Sequence, residues 1–202
     1  MYKLFLDIET LPIEKEKHDI LEALYKKDEE DGKKIKSWDE YLAGTGFDGA
    51  FGRICCISYA IDDEKPVSLF GEEKEILEKF WEVAKDADLF IGFNLLNFDM
   101  RFIYQRSVIW GIVPSKNLNF AKYRNDPIFD VMHEWNKWDH QSHISLHKLA
   151  TALGIPSSKG GDVEGKNVAK AFEDGRIKEI CLYCEKDVDV TRKIYKKLTF
   201  SD

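Results

Sequence analysis

Tyr2 to Leu6 are apolar and β-prone apart from Lys3, and two acids follow at Asp7 and Glu9. That pattern predicts a central strand ending in a site. From about Pro12 to Gly52 the pattern breaks. Two charged, helix-like stretches around Leu21–Tyr25 and Trp38–Leu42 precede a glycine-rich run from Gly44 to Gly52. This stretch reads as an insertion or lid between the first two strands. Strands are predicted at Arg53–Ile61 and Val67–Phe70, with Asp62, Asp63 and Pro66 in the turn, so the first three strands should form an antiparallel meander.

Helical spacing then takes over. Ile76, Leu77, Phe80, Trp81 and Ala84 predict a helix over Glu72–Lys85, followed by a short buried strand at Asp88–Phe93, the first β-α-β step. A second helix from about Phe98 to Trp110 stops at Gly111. Beyond Pro114 an irregular segment leads to an apolar patch at Ile128–Met132. Ser145 reads as the N-cap of Leu146–Leu153, with Gly154 at the stop. The stretch from about Gly165 to Leu198 is helical, with a break at Asp174 and Gly175. Strands first and strand-helix alternation later predict an α/β fold, a mixed β-sheet flanked by helices.

A length of 202 residues with 44% hydrophobic content suits one substantial core. The expected organisation is a single domain over 1–202 with an insertion or lid at about 12–50. Apolar runs are too short for a membrane span or secretory leader. The four cysteines, Cys55, Cys56, Cys181 and Cys184, read as reduced thiols, so the expected location is cytoplasmic. A net charge of −7 argues against a protein that coats nucleic acid through Lys and Arg. It leaves room for a nuclease whose carboxylates hold divalent cations.

Three segments carry candidate chemistry. Side chains two apart on a strand share a face, so Asp7 and Glu9 project together, about 6–7 Å apart along the strand. Along the last helix an apolar stripe runs through Ile180, Cys181, Cys184, Val188, Thr191 and Ile194, and Asp187 lies on it. An acid on a core-facing line is costly unless paired or metal-bound, whereas Glu185, Lys186 and Asp189 fall towards the outer face. Tyr183 sits one turn before Asp187 and can reach the same space. The third segment, Asn94 to Asp99, links a strand to a helix. Each has a purely structural alternative: a strand end in solvent, a water-capped edge acid, an acid favoured at a helix N-terminus, or Asn94 or Asn97 as a cap.

Taken together, their order and spacing resemble the three exonuclease motifs of the DnaQ-like, or DEDD, superfamily. Asp7-Ile8-Glu9 resembles D-x-E, Asn94 to Asp99 resembles N-x₃-[FY]-D, and Tyr183 to Asp187 resembles Y-x₃-D, the tyrosine marking the DEDDy branch. Within it the chain most resembles predicted exonucleases related to the proofreading domain of family B DNA polymerases, also through Phe51-Gly52-Arg53-Ile54-Cys55-Cys56-Ile57-Ser58 and Gly160-Gly161-Asp162-Val163.

The resemblance implies a ribonuclease-H-like fold and metal-dependent 3′-5′ hydrolysis of single-stranded DNA to 5′-mononucleotides. Two Mg²⁺ or Mn²⁺ ions, about 3.5–4 Å apart, would be held by Asp7, Glu9, Asp99 and Asp187. Tyr183 would orient the attacking water. Thr10, Leu11, Asn94 and Phe98 are the candidate substrate contacts, and a polymerase or other replication or repair protein is a candidate partner. The alternatives are a non-catalytic nucleic-acid-binding or polymerase-accessory module of the same fold, and an exonuclease acting on RNA 3′ ends.

Other signals carry less. Gly44-Thr45-Gly46-Phe47-Asp48-Gly49 matches G-x-G-x-x-G by letter but precedes a strand, so it reads as a lid hinge. Cys181 and Cys184 lack a second pair at zinc spacing and read as buried packing. His140, His143 and His147 read as a loop entering a helix, with structural zinc as the lesser alternative. Asp130 is either a supporting acid or a strand terminus.

Overall fold

The computed structural model describes residues 1–33, 36–139 and 141–201. Its sheet has strands β1 (Lys3–Leu11), β2 (Arg53–Ile61), β3 (Val67–Phe70), β4 (Leu89–Gly92) and β5 (Ile128–Asp130), in the order β3-β2-β1-β4-β5. The first three strands form the expected antiparallel meander, and β4 and β5 join parallel to β1. Helices α1 (His18–Glu30) and α2 (Trp38–Gly44) lie between β1 and β2, in the stretch that reads as an insertion in the sequence. They are followed by α3 (Glu73–Ala84), α4 (Asp99–Trp110), α5 (Val131–Trp135), α6 (Leu146–Ala152), α7 (Val168–Glu173) and α8 (Ile177–Leu198). Among the described residues, no helix is long and apolar enough to cross a membrane.

Alternation along β1 decides the two faces of the sheet. Leu4, Leu6 and Ile8 point into a core with Ile76, Leu77 and Phe80 of α3 and Phe102 and Ile103 of α4. Phe5 points the other way, into a core with Val188 and Ile194 of α8 and Leu149 of α6. Asp7 and Glu9 follow Phe5 in the two-residue repeat, so they face α8. A third cluster closes this face beyond Glu9, where Leu11, Cys55 and Cys56 meet Val168 of α7 and Cys181 and Cys184 of α8.

Several expectations are corrected. β1 does not end at the acids; it runs on to Leu11, because β2 pairs with it throughout, with a register shift between Glu9 and Thr10. The apolar patch at Ile128–Met132 is not one element: it is a strand that stops at Asp130 and a helix that starts at Val131. Asp130 makes the switch by accepting hydrogen bonds from the backbone N–H groups of Met132 and His133. Glu185 does not face outwards, because its carboxylate accepts the Ser68 hydroxyl of β3 at 2.8 Å. The Gly44–Gly49 run is no loose hinge. Gly46 is buried, its carbonyl accepts the Thr10 hydroxyl at 2.6 Å, and the Thr45 hydroxyl accepts Ile13 N–H. Gly52 follows from this anchoring, since a Cβ there would stand 2.4 Å from the Thr45 carbonyl.

Inside the insertion, α1 and α2 are joined by aromatic contacts among Tyr25, Trp38 and Tyr41. α2 is started by a reciprocal cap between Ser37 and Glu40. The far end of the insertion is tied to α4, where Arg106 forms a buried two-point ion pair with Glu73 and also donates to the Gly49 carbonyl.

Candidate active site

Four acids from three elements meet at the lip of the sheet. Asp7 and Glu9 come from β1, Asp99 is the first residue of α4, and Asp187 lies in the middle of α8. Each is brought in by an identifiable local cause. β4 last pairs with β1 at Phe5–Ile91, so further along β1 the edge facing β4 is open. Asp99 fills this gap, its Oδ1 accepting the N–H of Ile8 at 3.1 Å. Gly92 lets the chain turn there, because a Cβ would come within 3.1 Å of the Leu6 carbonyl and 2.9 Å of the Leu95 side chain.

The turn from β4 into α4 depends on Asp130. Its carboxylate accepts the N–H groups of Asn94 and Leu96 while also capping α5. Asn94 adopts a left-handed conformation with φ 58°, which Asn tolerates better than most residues. Neither Asn94 nor Asn97 caps α4: the N-cap is Phe98 and makes no side-chain cap. Instead the Asn97 amide bridges Asn94 and the buried His133, whose ring stacks on Trp138.

Asp187 is 8% exposed, and its Oδ1 is buried with no hydrogen-bond partner. An orphaned carboxylate oxygen is among the costliest buried groups, so this atom calls for a cation. One oxygen of Asp7, one of Glu9 and the Cys184 sulfur lie within 4.8 Å of one another. Two negative charges at that separation repel by about 3 kcal/mol at an effective dielectric near 20. Oxygen-rich donor sets of this kind suit hard divalent cations.

The acids feel this crowding. Burial raises Asp7 well above the usual carboxylate range, and Cys184, Asp99, Asp187 and Glu9 add to the rise. Glu9 is raised likewise by burial, then by Cys55, Asp187 and Asp99. Asp99 is pushed up to about 7 by burial, against the pull of backbone hydrogen bonds, its own and that of Ile8. Burial also raises Asp187, offset in part by the hydroxyls of Ser158 and Tyr183 and by Lys159. Tyr183 is held far above the ordinary phenol range by burial and then by the charges of Asp187 and Glu9. Both effects favour the neutral hydroxyl, which can donate or accept a hydrogen bond.

Three contributors had no distinct signal in the sequence. The Cys184 thiol donates to Asp7 Oδ2 at 3.2 Å, a contact hidden by its ordinary place on an apolar stripe. Ser158 and Lys159 reach Asp187 from a loop with no regular pattern. Of the expected substrate contacts, Phe98 is part-exposed beside Asp99, whereas Leu11 is only 2% exposed and leaves no surface for a base. The Thr10 hydroxyl is engaged with Gly46. His147 hydrogen-bonds Ser157, and the only metal-type cluster among the described residues is the one at Asp7, Glu9 and Cys184. His140 lies outside the described residues.

Comparison with known proteins gives the family and the fold. A DNA polymerase of Archaeoglobus fulgidus is 24% identical over 161 residues, covering 72% of this chain and 20% of that protein. The chain thus spans about a fifth of the length of this curated relative. Among solved structures, the family B DNA polymerase of the hyperthermophilic archaeon Pyrobaculum calidifontis has the same fold over 98% of this chain and 24% of its own, with a TM-score of 0.69 and 15% identity. Residues 49–201 match a family model described as a predicted 3′-5′ exonuclease related to the exonuclease domain of PolB; this span holds Asp99, Tyr183 and Asp187, with Asp7 and Glu9 upstream. The five-stranded mixed sheet is accordingly ribonuclease-H-like, and the chain belongs to the family of predicted 3′-5′ exonucleases related to the exonuclease domain of PolB.

Proposed function

We propose that this protein removes nucleotides one at a time from the 3′ end of single-stranded DNA, releasing 5′-mononucleotides. The observation that carries the reading is the orphaned Oδ1 of Asp187, one of four mutually repelling acids with a tyrosine hydroxyl beside them. Asp7, Glu9, Asp99 and Asp187 would hold divalent metal ions, Mg²⁺ or Mn²⁺. When bound, such ions offset phosphate charge and favour ionisation of water.

The chain's own residues do the positioning. The Asp99–Ile8 hydrogen bond fixes one acid against the strand that carries Asp7 and Glu9. The Cys184 thiol orients the Asp7 carboxylate. Tyr183, neutral and close to Asp187, holds a water by hydrogen bond for attack on phosphorus. In that step the new water oxygen–phosphorus bond forms as the bond to the 3′ oxygen of the preceding nucleotide breaks, leaving a shortened strand with a 3′ hydroxyl. Phe98 supports the terminal base.

The test is incubation with single-stranded, 3′-overhang and 3′-recessed DNA and with RNA, in Mg²⁺, Mn²⁺ or EDTA, with Asp7→Ala as control. Stepwise release of 5′-mononucleotides that needs both metal and Asp7 is expected. Intact substrates in every metal, with binding retained, would replace the reading with a non-catalytic module.

A further inference from the structure

The geometry points to a second aromatic contact for the substrate strand, supplied by the insertion: Phe47 and Phe98 form a stacking site for an unpaired base, with Arg101 placed for the adjoining phosphate. This deepens the proposed nuclease reading and rests on it for the identity of the strand.

Phe47 is 76% exposed, an unfavourable place for a large apolar ring unless something covers it. It is not a loose side chain on a loose loop. The residue before it, Gly46, is buried and accepts the Thr10 hydroxyl, and Thr10 is the neighbour of Glu9. The one before that, Thr45, is fixed by its contacts with Ile13 and Leu42. The Phe47 ring leans on Phe98 with centroids 6.2 Å apart and planes tilted by 49°, and Phe98 in turn leans on Phe102 in the core. Phe98 immediately precedes Asp99. The aromatic pair is thus tied at one end to the strand that carries Asp7 and Glu9 and at the other to Asp99.

Beside the pair is a groove of about 150 Å³ whose lining includes Phe47, Asp48, Asn97, Phe98, Arg101 and Gln105, the Asp48 carboxylate being engaged by the Ala50 N–H. Arg101 and Asn97 are exposed, and Arg101 has no ion-pair partner among the described residues. Two aromatic rings, amide groups and an uncommitted guanidinium are the components of a single-strand contact: bases stack on rings, and the cation meets the backbone. A protein of net charge −7 with an exposed cation in this groove favours a specific contact over a general basic coat. A base lying on Phe47 takes the ring in place of its neighbour in a duplex stack, so the contact is open to frayed and single strands.

The experiment uses the full chain and 12-mer oligothymidylates carrying one 2-aminopurine at the terminal, second or third position from the 3′ end, bound in Ca²⁺. The expected result is fluorescence quenching at one of these positions that is lost in Phe47→Ala and Phe47→Leu, with affinity weakened roughly 5- to 150-fold, the equivalent of one stacked base. Phe47→Leu keeps an apolar side chain at an exposed position, and its unchanged melting temperature separates lost stacking from lost folding. Arg101→Gln should make the slope of log affinity against log salt shallower by about 0.7. Quenching and affinity unaffected by Phe47 at every position would overturn the stacking site, and an unchanged salt slope would remove Arg101 from it. Hydrolysis of thymidine 5′-monophosphate p-nitrophenyl ester in Mn²⁺ by the wild type reads the proposed metal chemistry without a strand. If wild type cleaves neither this ester nor DNA while Phe47-dependent quenching persists, the nuclease reading falls and the strand contact stands.

Discussion

The Asp99 carboxylate accepts the backbone N–H of Ile8 at 3.1 Å, across 91 positions of sequence, and so locks the start of α4 to the strand that carries Asp7 and Glu9. The same contact buries a charge among like charges. Asp99→Asn keeps an oxygen for the Ile8 N–H and removes the charge, so the two roles separate. The metal-free variant should melt higher than wild type at pH 8, by roughly 2–4 °C for each kcal/mol gained. The Mn²⁺-induced rise in melting temperature should shrink, and nuclease activity should fall by about 100-fold or more. A variant that melts lower without metal would contradict this account of the site.

The pH dependence has a definite sign. The site carboxyls, with Asp99 at about 7, are raised above their unfolded values near 4. Above about pH 7 Asp99 is charged in both states, and the folded state bears its burial and repulsion. As pH falls from about 7 towards 4, the folded state takes up protons that the unfolded state does not, so this contribution to stability rises on acidification. Bound cations compete with the same protons. Melting curves between pH 8 and 5.5 in EDTA should move upwards from this term as pH falls, more so in wild type than in Asp99→Asn. The Mn²⁺-induced shift should weaken over the same range. A metal shift independent of pH would argue against these acids as the ligands.

Tyr183 is held neutral by burial and by the charges of Asp187 and Glu9. Tyr183→Phe should therefore lower kcat by about 10- to 100-fold, as expected for loss of one positioning hydrogen bond, without changing the shape of the pH–rate profile. Metal-induced stabilisation should remain. A lost or displaced limb of the profile would instead make Tyr183 a titrating group.

Asp130 touches no acid of the cluster by hydrogen bond, yet its carboxylate accepts N–H groups from Asn94, Leu96, Met132 and His133. Asp130→Ala leaves buried donors unpaired and should destabilise the protein by about 2–4 kcal/mol. Activity measured well below the lowered melting temperature should also fall, because the Asn94–Leu96 turn aims Asp99. Denaturant unfolding and single-turnover cleavage test the two effects separately. Retained stability with lost activity would place Asp130 in the chemistry instead.

The sequence by itself determined most of the scaffold. Two stretches about a turn at Asp62, Asp63 and Pro66 read as β2 and β3, helical spacing set α3 and α8, and Gly111 in the left-handed region with φ 66° ended α4 where its position implied. That Asp7 and Glu9 share a face and that Asp187 points to the core was also legible, because a strand repeat and a helical stripe each fix which way a side chain points; that the three meet was what the family resemblance implied. Tertiary structure decided what depends on contact between distant segments. Cys184 lies on the apolar stripe like its neighbours, and only the docking of α8 on β1 makes its thiol a partner of Asp7. Leu11 follows the acids in sequence, yet α7 and α8 cover it. Asp130 reads as a strand end, and its hold on Asn94 exists because β5 lies beside β4. The place of the insertion was equally unreadable, since its far end is fixed by Thr10–Gly46 and Arg106–Gly49 hydrogen bonds between residues far apart in the chain. Local periodicity encodes direction, whereas the identity of a neighbour across the fold is settled only when the sheet and helices close on one another.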